Sequence, residues 1–309
     1  MSRLVGVILA AGKGARMLPF TTRWPKPVLP ILGMPLVRHQ VAMMRALGIE
    51  RIFVVIGHLG HEVVRALGDV GGPVEYVEQT EALGIAHALA QLEGRITGPF
   101  LLCLGDVYVV SARLAAMLDL YGEGARGVLA SKIERDPELI RRNFAILAEG
   151  DGRVRRVVEK PRTDYGQLKG CGLYLFGAEI FDAIRRTPRS AMRDEYEITD
   201  SIQIMIDDGH RVVHAPVIDE DFNLTVASDL LAINASELQR RGLSSFFAEP
   251  PQQGARVELS GVVGGVGVTL GDDIVLRNCV LFDATTVADG TQLTGAILTP
   301  DGVISGETP

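Results

Sequence analysis

Over the first two-thirds of the chain, short apolar runs alternate with stretches whose apolar residues recur at helical spacing. Leu4–Leu9, Ile52–Ile56 and Phe100–Leu104 are nearly continuous apolar runs, the first two bounded by Gly, as parallel strands buried on both faces require. Between them, Leu36–Leu47, Glu62–Leu67 and Ile85–Leu92 carry a helical period. This alternation predicts a doubly wound α/β sheet. After Gly127 the pattern changes. Phe144–Leu147, Val154–Val158 and Leu173–Phe176 are strand-like without regular intervening helices, which predicts a mixed, partly antiparallel extension of the sheet. Ser111–Leu120, Ile198–Ile206 and Ala227–Leu238 read as helices.

A different period governs the last 60 residues. Leu270, Leu276 and Phe282 are six apart, Val287 follows after five, and Leu293 after six more, with Gly, Asp and Asn between them. Hexads of this kind form parallel β-helix coils, one small aliphatic residue per face filling the interior. A β-sandwich fragment and a loose tail are the plainer alternatives. The preceding segment SSFFAEPPQQG, Ser244–Gly254, has linker composition. The expected organisation is a domain over 1–243, a linker over 244–254 and a β-helix domain over 255–309.

Composition sharpens this picture. The 309 residues hold 31 basic and 38 acidic side chains, for a net charge of −7. Residues 251–309 carry two Arg against seven acidic residues, a charge of −5, and so leave −2 for the rest. That balance argues against nucleic acid as a partner, since phosphate backbones select basic faces. No apolar stretch is long enough to span a membrane, and Met1–Ala10 lacks the pattern of a secretory signal. Three scattered cysteines, Cys103, Cys171 and Cys279, fit a reducing, cytoplasmic setting. Only five of the basic residues are lysines: Lys13, Lys26, Lys132, Lys160 and Lys169.

Directly after the first apolar run stands LAAGKGARM, Leu9–Met17. Gly12 and Gly14 let the backbone turn its N–H groups toward a phosphate chain, and Lys13 and Arg16 add charge. The motif is neither a dinucleotide fingerprint, because Met17 stands where the third Gly belongs, nor a P-loop, because no Gly-Lys-Ser/Thr follows. Farther on, Trp24-Pro25-Lys26-Pro27-Val28-Leu29-Pro30 presents Lys26 between two prolines, which stiffen the chain around it. A rigidly held ammonium suits charge developing on a transferring phosphoryl group.

LAAGKGARM together with PKPVLPI resembles the signature of the sugar-1-phosphate nucleotidylyltransferases. That family joins an NTP to a sugar 1-phosphate and releases pyrophosphate. The likeness runs from about Leu4 to Asn234, and several members also carry an appended left-handed β-helix. Ala15 departs from the usual Thr or Ser, and Ala11 from a frequent Gly; neither change removes a charge. The resemblance implies that Ala10, Ala11, Gly12, Lys13 and Gly14 cradle the nucleotide, with Arg16 and Lys26 on its phosphates. It assigns base recognition to Gln79 and Gly84 in YVEQTEALGIAHAL, where a side-chain amide can pair with a pyrimidine edge. The Leu83–Ala88 run looks most like the glucose-1-phosphate thymidylyl- and uridylyltransferases. His87 reads as packed on its helix rather than catalytic.

Asp106, in Leu104-Gly105-Asp106, lies at the carboxyl end of the third parallel strand, where ligands of such sheets bind. It is the leading candidate to hold Mg²⁺, a cation that takes one or two protein oxygens beside phosphates and water. The resemblance makes Asn223, where the family often has Asp, the second metal ligand. Val157-Val158-Glu159-Lys160-Pro161 resembles the family's sugar-phosphate station, with Glu159 accepting from sugar hydroxyls and Lys160 on the phosphate. Gly172 and Ala145 match pocket positions, Ala145 replacing a usual Gly. Arg193–Asp200 reads as structural, with Thr199 or Asp200 capping the next helix.

The implied substrates are dTTP or UTP with glucose 1-phosphate; the alternatives are GTP with mannose 1-phosphate, or a non-catalytic subunit that senses nucleotide sugars. Retention of Arg16, Lys26, Asp106 and Lys160 favours catalysis. A second acetyl-transfer activity on the β-helix is disfavoured, because residues 255–304 contain no His or Lys. The flat coils and an open last edge predict a homo-oligomer involving the β-helix.

Overall fold

The computed structural model describes residues 3–18, 20–191 and 193–305. The chain forms two units, one of Met1–Lys13, Gln40–His61 and Asp69–Asp221, the other of Gly14–His39, Glu62–Gly68 and Phe222–Pro309. The glycine-rich loop therefore passes from one unit to the other between Lys13 and Gly14.

The first unit is built on one large sheet. Val5–Ala10 runs parallel to Arg51–Ile56 on one side and Phe100–Leu104 on the other, and Val74–Glu78 extends the parallel set. These are the continuous apolar runs, which bury residues on both faces: Val7, Ile8, Phe53, Val54, Leu101 and Leu102 are all fully enclosed. Leu168–Phe176 then joins antiparallel to Phe100–Leu104. This strand forks. Its first half pairs with Phe144–Ala148, through Lys169 opposite Ala145 and Gly170 opposite Phe144, and Gly127–Ile133 runs along its other edge. The register along that edge breaks between Gly170 and Tyr174, where Gly172 takes φ +66°. Val154–Glu159 and Val212–Ala215 complete the mixed extension.

The helices Ile85–Ala90, Ile180–Arg186 and Ile198–Asp207 contribute Ala86, Leu89, Ile180, Ile184, Ile198 and Ile202 to the same apolar core as Phe100, Tyr174 and Phe176. The helix expected from Ser111 begins only at Ala116. Glu197, not Thr199 or Asp200, occupies the N-cap of Ile198–Asp207, and no side chain caps that helix.

The second unit contains three parallel ladders. Val262–Gly264, Thr269–Leu270 and Ile274–Arg277 form one coil, and each pairs with a strand 17 residues onward, as in Val263 to Val280, Leu270 to Val287 and Leu276 to Leu293. This is a parallel β-helix. The five-residue step recurs in every turn, so a coil is 17 residues long rather than 18. Turn aspartates stitch successive coils: Asp272, Asp283 and Asp289 accept from the amides of Ala255, Val266 and Asp272 at 2.7–2.8 Å. Three of the tail's acidic residues are thus turn caps. Residues 244–254, expected as a linker, contain Ser245–Phe247 and Gln252–Gln253, which pair as the first coil with Val262–Gly264 and Thr269–Leu270. Phe247 packs on the coil interior, an apolar demand that outweighs the polar, Pro-containing composition. On the last coil, Gly302–Ser305 folds back antiparallel onto Ala296–Thr299, covering the edge of that face, which was expected to lie open. Among the described residues, no helix is long and apolar enough to cross a membrane.

Candidate active site

In the first unit, the ends of the parallel strands converge on one turn. Gly105 donates its amide to the Leu9 carbonyl at 2.9 Å. A Cβ on Gly105 would stand 2.4 Å from that oxygen, so only glycine permits the approach. Asp106, half-buried, follows directly beside the exit of the first strand, where Ala10 and Ala11 are buried and Gly12 and Lys13 are exposed. Gln40 pins the turn: its buried amide donates to the carbonyls of Leu104 and Val107, both at 2.8 Å. Gly172 completes the group, since a Cβ there would lie 2.8 Å from Val107.

Two further stations stand on the same unit. The amide nitrogen of buried Gln79 lies 2.9 Å from Nδ1 of His87 and 3.4 Å from the Gly84 carbonyl. His87 does pack on its helix, stacked at 6.2 Å on Tyr196, and it also holds the residue expected to read the base. Gly84 has φ +102°, and its Cβ would fall 2.6 Å from the Tyr196 carbonyl. At the Val157–Pro161 motif, Glu159 pairs with Phe144 and Val158 with buried Ala145 across the sheet. Lys160 then leaves the strand at φ +41°, its amide donating to Asn143 at 2.8 Å.

The stretch read as structural supports both stations. Arg193 Nη1 lies 3.3 Å from Glu159 and 3.0 Å from Glu197, and the Thr199 hydroxyl donates to the other Glu159 oxygen at 3.4 Å. Tyr196 exchanges backbone hydrogen bonds with Leu83 and Ala86, on either side of Gly84. Burial, and then the neighbouring Glu197, push the Glu159 carboxyl up to about 7 against the pull of Arg193 and Lys160. The sequence pattern gives Arg193 and Thr199 only a structural reading; the concentration of charge in RDEYE is the signal of their link to Glu159. It also passes over Gln40, which an amphipathic helix pattern does not distinguish from a surface polar residue.

In the second unit, Gly14 has φ +63°, and its carbonyl accepts from the Thr21 hydroxyl at 3.0 Å. Arg16 is exposed on the one-turn helix Ala15–Met17. Lys26 opens another, Lys26–Val28, after Pro25 in extended conformation. The lysine is only 8% exposed, and a Cβ on Gly14 would touch its stem at 3.3 Å. The side chain of Asn234 closes this loop by bonding Leu32 N at 2.8 Å and Pro30 O at 3.1 Å. Asn223, half-buried, ends the strand Glu220–Asn223.

A family model described as nucleotidyl transferase matches residues 5–222, more than two-thirds of the chain. The chain belongs to the nucleotidyl transferase family. This nucleotidyl transferase is 33% identical over 322 residues to the bifunctional protein GlmU of Thermus thermophilus, covering 95% of this chain and 69% of that one. It is 31% identical to a glucose-1-phosphate thymidylyltransferase of Streptomyces griseus, covering 95% and 80%. It is 33% identical to the UTP–glucose-1-phosphate uridylyltransferase AglF of Haloferax volcanii, covering 67% and 85%. A solved UDP-glucose pyrophosphorylase complexed with UDP-glucose shares its fold with a TM-score of 0.70 at 23% identity, covering 77% of this chain and all of that one. Enzymes of this nucleotidyl transferase family generally use a divalent metal ion.

Proposed function

We propose that the chain joins an NTP to a sugar 1-phosphate. A phosphate oxygen of the sugar 1-phosphate attacks the α-phosphorus; the new P–O bond forms as the bond to the β-phosphate oxygen breaks, and pyrophosphate departs with that electron pair. The nucleophile is already anionic near neutral pH, so no strong general base is needed, and positioning and electrostatics supply the rate.

The observation that carries this reading is Lys26, an ammonium on an almost fully buried side chain, fixed between two prolines against the glycine loop. Such a charge costs no reorganisation when negative charge develops beside it. In this account Arg16 and the amides of Ala10 to Gly14, with Lys13, attend the triphosphate. Gln79 and Gly84 read the base. Glu159 accepts from sugar hydroxyls, Lys160 contacts the sugar phosphate, and Ala145 and Gly172 shape the pocket. Asp106 and Asn223 offer hard oxygen donors of the kind Mg²⁺ takes. When bound there, Mg²⁺ would offset charge on the phosphates.

The preferred substrates are dTTP or UTP with glucose 1-phosphate, supported by Leu-Gly-Ile-Ala-His-Ala and by the names of the relatives. The β-helix serves assembly of a homo-oligomer inside the cytoplasm, and light scattering at micromolar concentration tests this, a clean monomer counting against it. A panel of four NTPs against glucose, mannose and N-acetylglucosamine 1-phosphates, read by pyrophosphate release, tests the substrate assignment. Highest turnover with GTP and mannose 1-phosphate would replace it.

A further inference from the structure

We infer that Phe282, on the β-helix, is a positioning residue for Lys26; this rests on the reading that Lys26 serves the transfer. Phe282 is 6% exposed. Its ring stacks on Phe20, with centroids 6.1 Å apart and planes 23° from parallel, and meets Trp24 edge-on at 5.2 Å and 71°. Phe20 and Trp24 belong to one tight turn, in which Phe20 O accepts from Arg23 N at 3.0 Å and Trp24 N at 2.8 Å. One β-helix ring thus fixes both ends of the turn that leads into Pro25-Lys26-Pro27.

The prolines make that turn a lever. With φ held near −65° at Pro25 and Pro27 and Lys26 locked between them in the one-turn helix Lys26–Val28, few torsions remain to absorb a displacement of Trp24. A shift of its ring is passed to Lys26, whose stem already abuts Gly14. Phe282 itself is anchored, since its amide donates to Leu298 O at 2.9 Å within the coil ladder. Arg23 pairs with Asp301 and lies over the Trp24 ring at 5.1 Å, holding the rim. Beside the rings is a cavity of about 120 Å³, lined by Trp24, Val28, Pro30, Phe282, Asp283 and Pro300 among others. Removing the Phe282 ring enlarges this void and leaves the loop space to relax into, so the lysine loses its backstop.

Trp24 is the one tryptophan of the chain, so its fluorescence reports the contact directly. The test compares Phe282→Ala, Lys26→Ala, their double variant and Val287→Ala, a β-helix interior change outside the ring cluster. Phe282→Ala is expected to keep the circular dichroism spectrum, to shift Trp24 emission, and to hold the KM for sugar 1-phosphate within about twofold. Its kcat is expected to fall at least tenfold, since a misplacement of about 1 Å can cost on the order of a hundredfold. Val287→Ala, matched for lowered Tm, keeps kcat within about twofold. In the Lys26→Ala background, Phe282→Ala costs nothing further, because both act through one group. If Phe282→Ala does not fold, Phe282→Leu carries the same test with a roughly threefold expected loss. A folded Phe282 variant with undiminished kcat, an equal loss in Val287→Ala, or additive losses in the double variant would overturn the inference. Near-full transfer by Lys26→Ala would instead overturn the role given to that lysine.

Discussion

Nζ of Lys169 lies 2.8 Å from one carboxylate oxygen of Asp221, and Nζ of Lys132 lies 2.9 Å from the other. Glu134 joins them, 3.0 Å from Lys132 and 3.8 Å from Lys169. The group is neutral and enclosed, with the Lys169 and Asp221 side chains essentially inaccessible. It ties the forked strand and its neighbour Gly127–Ile133 to the segment leading into Asn223. Attraction inside such a cluster roughly offsets the cost of drying its charges, but deleting one member leaves a buried charge uncompensated. Asp221→Ala leaves two ammonium groups sharing the single carboxylate of Glu134 and is expected to lower the unfolding free energy by about 3–5 kcal/mol in urea titrations. Replacing Lys169 and Asp221 together by Met and Leu is expected to cost clearly less than Asp221→Ala alone. A double variant that loses as much stability as Asp221→Ala would contradict this coupling.

Glu159 provides a pH test. Its carboxyl titrates at about 7, above the ordinary 4.5, because burial and Glu197 disfavour the charge. Accepting hydrogen bonds from sugar hydroxyls calls for the ionised form. The kcat/KM for sugar 1-phosphate is therefore expected to rise with pH up to about 7 and then level off, while Glu159→Gln removes that limb. Stability runs the other way. The folded value is raised, so the stabilising contribution of this group is complete below about pH 4.5 and is lost as pH climbs to about 7. Glu159→Gln should flatten that decline in chemical denaturation profiles.

In the proposed reading His87 holds Gln79, the residue assigned to the base, and takes no part in the reaction. Its hydrogen bond to Gln79 is of a kind worth about 0.5–1.5 kcal/mol. His87→Ala is expected to raise the KM for the preferred NTP roughly two- to tenfold and to narrow its advantage over other NTPs. The KM for sugar 1-phosphate stays unchanged. A fall in kcat with normal KM values would instead point to His87 in the chemistry.

The parts of the molecule most legible in sequence were those with a local cause. Apolar runs marked Val5–Ala10, Arg51–Ile56 and Phe100–Leu104, and the hexad rhythm marked the coils, down to the five-residue slip that proves to recur in every turn. The forked strand was half-seen, because Lys169, Gly170 and Cys171 interrupt its apolar pattern at the point where it changes partners. Lys132 and Lys169 gave no signal of burial, since their counter-charge Asp221 lies far along the chain and only folding brings it near. The role of Arg193 was hidden for the same reason. Its link to Glu159 spans 34 residues. Phe282 was read as one more interior hexad residue, although its ring lies against Phe20 and Trp24. Sequence periodicity shows that a residue is buried, but not which ring it meets.

Nucleotidyl transfer itself is tested most directly by product analysis. The purified chain is incubated with UTP or dTTP, glucose 1-phosphate and Mg²⁺, and the products are separated and weighed by mass spectrometry. The account predicts nucleoside diphosphate-glucose and pyrophosphate in equal amounts, formed only when both substrates are present and lost in Lys26→Ala. Nucleotide hydrolysis without glucose 1-phosphate, or undiminished product from Lys26→Ala, would contradict it.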